Sequence, residues 1–169
     1  MPTGATAPGA DDNASGSTAV LLAADILSQY QWNYTLRFVL WTGEEQGLKG
    51  STVYASQAHS ANENILGYLN LDMIAFNGSA PPEINLFWKS TVPASEAIAN
   101  LFTDVVTAYG LNLVPFKYNA VTYTIGNQSD NKPFWDQGYP SILAIEDYYG
   151  DFTPYYHTVN DRMSTLNMA

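Results

Sequence analysis

The stretch LRFVLWTGEEQG at residues 36–47 decides the fold, because it joins an apolar run to an acidic turn. Residues 35–41 are largely apolar, which is typical of a strand covered on both faces of a sheet. Glu44 and Glu45 follow this run directly, and Gly47 comes two residues later. Taken alone, the two acids are better explained as a solvated pair near the start of a helix than as a functional site. A functional role for the pair therefore depends on whether other predicted strands also end in acidic residues.

Two other apolar runs also end in acids. Asp72 follows residues 65–71, and the pair Glu146 and Asp147 follows residues 141–145. In α/β sheets, functional groups gather at the carboxyl ends of the strands. The pattern therefore predicts that these acids converge on one edge of a sheet.

The remaining pattern alternates between strand-like and helix-like segments. This alternation predicts one domain over residues 1–169, with an α/β, three-layer fold in which helices flank a mainly parallel mixed sheet. Residues 15–17 offer an N-cap for the first helix, and the fourth helical segment is predicted to break near Pro133. The predicted helices cover residues 18–30, 48–60, 94–109 and 131–137, and the predicted strands cover 35–41, 65–71, 83–88, 113–118 and 141–145.

Composition excludes several classes of function. The net charge of −10 leaves no basic stripe that could neutralise nucleic-acid phosphates. No apolar run approaches the ~20 residues of a membrane span, and the amino-terminal residues do not resemble a signal peptide. Four Asn-X-Ser/Thr sequons, at Asn13, Asn33, Asn77 and Asn127, would suit a secreted protein, but the compartment stays open.

The chain has no cysteine, so any zinc must be held by histidine and carboxylate ligands. Asp12, Glu45, Asp72 and His157 are ligand types of this kind. Neighbouring residues after a strand point to different sides, so one of the paired glutamates can bind metal while the other faces substrate. A lone histidine among tyrosines such as His157 is more often a packed residue, so its role needs further support.

Six short motifs occur in the order seen in the co-catalytic dizinc exopeptidases of the bacterial leucyl aminopeptidase type, and together they resemble that family over essentially the whole chain. The motifs are PGADDNASG (8–16), TGEEQGLKGS (42–51), LNLDM (69–73), SDNKPF (129–134), GYP (138–140) and YHT (156–158).

The resemblance implies a peptidase that cleaves N-terminal residues from peptides. It implies that Asp12 bridges two metals, Glu44 is the general base, Glu45 and His157 complete one metal site, and Asp72 serves the other. The family also carries a zinc-binding histidine in a His-X-Asp-Ser motif shortly before the first of these segments, and the present sequence begins after that point. His59 is not expected to replace it, because its predicted helix leads away from the active edge. We therefore expect one zinc site and a second, weakened site.

Two alternatives stay open. The chain could be a catalytically impaired or non-enzymatic relative that acts as a metal-binding or homo-oligomeric scaffold, or it could perform another reaction on the same metal site. Asp161 is either an orienting group or a surface acid, and Asp11 is expected to be a turn or cap residue. Ser129 and Asp130 are left outside the site. Several tyrosines are candidates for substrate walls: Tyr123, Tyr148, Tyr149, Tyr155 and Tyr156.

Overall fold

The computed structural model describes residues 7–79 and 81–167. Helices α1 to α4 span Ala14–Leu27, Lys49–Ser60, Ser95–Ala108 and Asn131–Asp136. Strands β1 to β4 span Tyr68–Leu71, Glu83–Trp88, Val114–Asn119 and Ser141–Glu146. Short 3₁₀ helices cover Thr124–Asn127 and Met163–Thr165. None of the helices in the two described ranges is long and apolar enough to cross a bilayer.

The four strands form one sheet in the order β1-β4-β2-β3. β1 runs parallel to β4 and β2 runs parallel to β3, whereas β2 and β4 are antiparallel. This confirms the predicted mixed, mainly parallel sheet. β1 lies at one edge, and its last residue leads directly into Asp72.

The centre of the fold is β4, in which all six residues are buried. Ile142 packs with Ala99 of α3, whereas Leu143 packs with Trp135 of α4. Because successive strand residues point to opposite faces, helices cover both faces of the sheet. The predicted three-layer arrangement is thus confirmed.

Residues 35–41, predicted as a buried strand, do not join the sheet. They run without a turn or bend, but they have no strand partner among the described residues. Leu36, Phe38 and Leu40 remain 43%, 40% and 55% exposed. The prediction of a covered strand is therefore wrong for this segment, because an apolar run forms a strand only where a neighbouring backbone can pair with it.

Two helix boundaries also differ from the prediction. α1 begins at Ala14, and its cap is Asn13, whose side chain accepts a hydrogen bond from the backbone N–H of Gly16 at 3.0 Å. α4 continues through Pro133 to Asp136, because a proline in the first turn removes an N–H that lacks a helical partner. The other helices and strands agree with the prediction to within a few residues.

Candidate metal centre

Three side chains from distant parts of the chain meet at one end of the sheet. Asp12, Glu45 and His157 each offer one ligand atom, and these atoms lie within 4.8 Å of one another. His157 Nε2 is 2.6 Å from Glu45 Oε1 and 3.3 Å from Asp12 Oδ2. Two carboxylates and an imidazole are a donor set that suits Zn²⁺.

Asp12 lies in the loop before α1, and hydrogen bonds hold this loop from two sides. The backbone N–H groups of Asp11 and Asp12 donate to the Asp161 carboxylate at 2.8 and 3.1 Å. Asn13 donates its Nδ2 to the carbonyl oxygen of Leu71 at 2.9 Å, at the end of β1. Asp161 is buried, so the structure favours an orienting role over a surface acid.

Glu44 and Glu45 lie in the turn between residues 35–41 and α2. Gly43 adopts a φ of +69°, a conformation that glycine reaches without a steric penalty. The carbonyl oxygen of Glu44 accepts hydrogen bonds from the N–H groups of Gly47 at 2.9 Å and Leu48 at 2.8 Å. The turn brings Glu45 to His157 and leaves Glu44 partly buried beside the other acids.

His157 stacks on its neighbour Tyr156, with ring centroids 3.7 Å apart and planes inclined by 26°. Its backbone has a φ of +57°, which is uncommon for a residue other than glycine. The stack and the contact with Glu45 together fix the plane of the imidazole, whose Nε2 faces the two carboxylates.

Asp72 lies beside this group rather than within it. Its Oδ2 accepts a hydrogen bond from Ser129 Oγ at 2.6 Å, and Ser129 Oγ accepts one from Asn70 Nδ2 at 2.7 Å. Burial raises the pKa of the Asp72 carboxyl, and the charge of Asp130 adds to this effect, whereas the Ser129 hydrogen bond opposes it. The carboxylate is thus held firmly at the end of β1.

The clustered acids raise one another's pKa values. Burial, followed by the charges of Asp72 and Glu45, raises the pKa of Glu44 to about 8. Burial and the same two charges raise the pKa of Asp12 to about 7. A divalent cation at this position would relieve the repulsion and replace the bound protons.

Two supporting groups were missed as site residues in the sequence. Ser129 holds Asp72, and Asp130 is buried next to it and accepts a hydrogen bond from Ser51 Oγ at 2.5 Å. Both lie in the SDNKPF motif, so the signal was present in the sequence. What the sequence did not indicate was the side chain that each of them contacts.

Another buried acid, Glu146, was predicted only as the end of a strand. Its two oxygens accept hydrogen bonds from Thr153 N at 2.9 Å and Phe76 N at 3.0 Å. Burial, with a contribution from neighbouring Asp11, raises its pKa to about 9. Glu146 therefore ties the loop after β1 to the segment that leads to His157. Asp11 lies in the turn before α1, as predicted, although the cap of that helix is Asn13; the carboxylate of Asp11 is buried and accepts from Ala75 N at 3.0 Å.

His59 and most of the candidate tyrosines lie outside the three-residue group. His59 is exposed in α2, and its ring packs edge-on against Tyr139 with centroids 6.4 Å apart. Tyr149 packs against Tyr123 at 5.7 Å and against Tyr148 at 5.3 Å. Tyr156 alone among the candidates stacks directly on a site residue, and the role of the tyrosines as substrate walls stays a prediction.

A cleft of about 1520 Å³ begins at the site and continues along residues 34–41. At the site it is lined by acids, and further along by apolar side chains. The acids that line the cleft at the site are Asp12, Glu44, Glu45, Asp72 and Asp130, and Glu63 lines the part further along.

Comparisons with known proteins agree with this geometry. The profile of Peptidase family M28 matches residues 2–169. The chain is 31% identical over 181 residues to a probable leucine aminopeptidase 2 of Aspergillus oryzae, covering 95% of this chain and 35% of that protein. It also superimposes on the LapA aminopeptidase of Legionella pneumophila with a TM-score of 0.78 at 22% identity, covering 95% of this chain and 42% of that one.

A further solved structure, BSAP, a zinc aminopeptidase from Bacillus subtilis, gives a TM-score of 0.77 at 24% identity over 95% of this chain and 38% of that chain. At these identities the two solved structures establish the fold. The chain spans less than half the length of each of these three proteins. Because the family profile matches almost every residue, the chain belongs to peptidase family M28.

Proposed function

We propose that this chain acts as a zinc-dependent aminopeptidase, which removes N-terminal residues from peptides. The observation that carries the proposal is the convergence of Asp12, Glu45 and His157 beside the partly buried Glu44, in a member of the M28 family. The relative named as a probable leucine aminopeptidase supports the substrate class.

The donor set fits zinc. His157 would supply a nitrogen ligand through Nε2, and Asp12 and Glu45 would supply oxygen ligands. Three protein ligands are typical of catalytic zinc sites, which keep a further position open. Zinc held there would supply Lewis-acid polarisation of the scissile carbonyl.

Glu44 is our proposed general base. Its carboxylate would accept the proton of the attacking water and return it to the leaving amine. In the metal-free protein, burial and the neighbouring carboxylates raise the pKa of Glu44 to about 8; a bound cation would lower this pKa and so favour the carboxylate form that accepts the proton. The surrounding carboxylates would also attract the free amine that defines an N-terminal residue.

A second metal position would use Asp72 together with Asp12, and it has no nitrogen ligand within residues 7–79 and 81–167. The chain contains only one other histidine, His59, which lies away in α2. We propose that this second position binds zinc weakly or prefers a harder cation that favours oxygen ligands.

The alternative, a non-enzymatic scaffold, is favoured by a different observation, the apolar cleft next to the site. Activity assays separate the two. With zinc added, the protein should hydrolyse aminoacyl-nitroanilides, and Glu44→Gln should lower kcat by at least about 100-fold. Glu96→Gln, which changes an exposed acid at the start of α3, is the matched control and should leave kcat unchanged.

If both variants are as active as the unaltered protein, Glu44 is not the base. If zinc binds tightly but no peptide or nitroanilide substrate is cleaved, the scaffold function replaces the enzymatic one. Secretion and a single-domain organisation stay predictions.

A further inference from the structure

The buried acid Glu146, at the end of the central strand β4, takes no part in the proposed chemistry. Only 2% of its surface is exposed. Its Oε1 accepts a hydrogen bond from Thr153 N at 2.9 Å, and its Oε2 accepts one from Phe76 N at 3.0 Å. Its own backbone N–H donates to Met73 O at 2.8 Å. Glu146 is therefore the point at which the loop after β1 is joined to the segment that leads to His157.

The carboxyl group of Glu146 also contacts a third segment, the loop before α1 that carries Asp12. It lies within hydrogen-bonding distance of the Asp11 carboxyl group. Asp11 is 1% exposed, and its Oδ1 accepts from Ala75 N at 3.0 Å. Its Oδ2 is buried and accepts no hydrogen bond from an N–H or hydroxyl group of the described residues. The contact with Glu146 is therefore the interaction left for that oxygen.

The contact between these two acids requires one proton. Two buried carboxyl groups that touch cannot both be ionised, because their repulsion adds to the cost of burying each charge. Burial, with a contribution from Asp11, raises the pKa of Glu146 to about 9, so Glu146 keeps its proton at neutral pH. A protonated carboxyl group can donate a hydrogen bond, and Glu146 thus supplies the donor that Asp11 Oδ2 otherwise lacks.

Asp161 completes the connection on the other side of His157. Its buried carboxylate accepts from the backbone N–H groups of Asp11 and Asp12 at 2.8 and 3.1 Å. Asp161 lies four positions after His157, whereas Thr153 lies four positions before it. Together with the buried acid of β4, Asp161 therefore holds the Asp12 loop to the chain on both sides of His157.

We propose that Glu146 is a positioning residue for the metal centre, which acts through Asp11 to keep Asp12 and His157 at the separation needed to share one zinc ion. The side chain of Glu146 contacts Asp11 and backbone N–H groups, so it acts on the ligands only through these neighbours. The ligands need such support because both lie in loops. Partners of this kind orient metal ligands, and their loss typically costs about 10–100-fold in metal affinity.

Substitutions of Glu146 test this role. Glu146→Met nearly keeps the size of the side chain but removes the hydrogen bonds of the carboxyl group, and zinc affinity should fall by at least about tenfold. Glu146→Gln is the conservative variant, because its amide N–H can donate to Asp11 Oδ2 while its oxygen accepts from a backbone N–H. It should recover most of the lost affinity. Competition with a chromogenic chelator measures both values.

Val106→Ala controls for a loss of stability alone. It truncates a buried side chain of α3, a helix that carries none of the proposed ligands. This variant should unfold more easily but bind zinc as tightly as the unaltered protein. Cobalt(II) gives a second readout, because its visible absorption reports the geometry of its ligands. At saturating cobalt the spectrum should change in Glu146→Met and stay unchanged in Val106→Ala.

A double-mutant cycle tests whether Glu146 acts through Asp11. Asp11→Ala should weaken zinc binding at least as much as Glu146→Met does. The double variant should bind zinc no more weakly than Asp11→Ala alone, because both changes break the same connection. Losses that add would overturn the action through Asp11. If Glu146→Met does not fold, the same cycle with Glu146→Gln decides the question.

This role rests on the proposed zinc site, and zinc affinity measured apart from hydrolysis separates the two. Unchanged zinc affinity in Glu146→Met, or an equal loss in Val106→Ala, would overturn the positioning role alone. Zinc binding that depends on Glu146, without cleavage of any peptide or nitroanilide, would overturn the peptidase function and support the positioning role. Absence of zinc binding by the unaltered protein would overturn both.

Discussion

The candidate metal centre has two halves that are built differently: a loop half, formed by Asp12, Glu45 and His157, and a strand half, formed by Asp72. Asp12, Glu45 and His157 come from three loops, and the last two of these side chains are exposed. Asp72 instead follows a strand, is held by Ser129 and lies near the buried acid Asp130, whose charge acts on it. The loop half has a nitrogen ligand and the strand half does not. We therefore expect the more exposed half to bind zinc more tightly, because ligand number and type matter more than how firmly a single carboxylate is held.

Loss of His157 should have the largest effect on the difference in zinc affinity between the two halves. The substitution His157→Asn removes the only nitrogen ligand of the loop half, and zinc affinity should fall by more than about 100-fold, beyond the 10–100-fold cost typical of losing an outer partner. Competition with a chromogenic chelator measures the change. His59→Asn alters the other histidine, which packs against Tyr139, and should leave zinc affinity intact. If both variants bind zinc as well as the unaltered protein, the loop half is not the zinc site.

The next largest effect is on the pH dependence of stability without metal. The folded protein retains protons that the unfolded chain has released, because the pKa values are raised to about 7 for Asp12, about 8 for Glu44 and about 9 for Glu146. The contribution of these groups to the free energy of unfolding in EDTA should therefore be largest at about pH 4 and below, where they are protonated in both states, and should fall toward pH 9, by at most about 1.4 kcal/mol per pH unit for each group. Urea unfolding at a series of pH values measures this slope.

Two comparisons sharpen the pH experiment. Glu146→Gln should make the slope less steep, whereas Asp25→Asn, in an exposed part of α1, should not. Saturating zinc should stabilise the protein more at pH 8 than at pH 6, because zinc binds deprotonated ligands of the folded state. A slope unaffected by Glu146→Gln would show that this acid is already ionised in the folded protein.

Much of the fold could be predicted from local patterns, and the exception is informative. Both 141–145 and 35–41 are apolar runs followed by acids, and both were predicted as buried strands. The first is the central strand β4, with partners on both sides, and the second is unpaired and exposed. Apolarity indicates that a segment prefers burial, but pairing depends on a neighbouring strand, and this cannot be read from the segment itself.

In the candidate metal centre, too, local sequence patterns predict only part of the arrangement. The ligand types in Asp12, Glu45 and His157 could be identified from motifs, and the structure brings these three together. The supporting contacts could not be predicted, because they join residues far apart in sequence. Asp161 reaches Asp12 across 149 positions, and Ser129 reaches Asp72 across 57.

A smaller effect is expected from the group that holds the strand half. Ser129→Ala leaves the Asp72 carboxylate without its donor and Asn70 Nδ2 without its acceptor. Unfolding free energy should fall by about 1–3 kcal/mol, the usual cost of unsatisfied buried polar groups. The control Ser60→Ala removes an exposed hydroxyl that bonds only within α2, and it should change stability by less than about 0.5 kcal/mol. Equal stability of both variants would show that Asp72 does not depend on Ser129.

The smallest effect on zinc binding should come from Asp72→Asn. Asparagine keeps an oxygen that can accept from Ser129, so the packing of the strand half is preserved while its charge is removed. Affinity for the first zinc should change by less than about tenfold, since the loop half keeps all three ligands. The pKa of Glu44 should drop below its value of about 8, because the charge of Asp72 contributes to raising it. Carboxylate NMR titration of the metal-free protein measures that shift. If the first zinc is instead lost together with the Asp72 charge, the two halves act as one site, and the difference in affinity between them disappears.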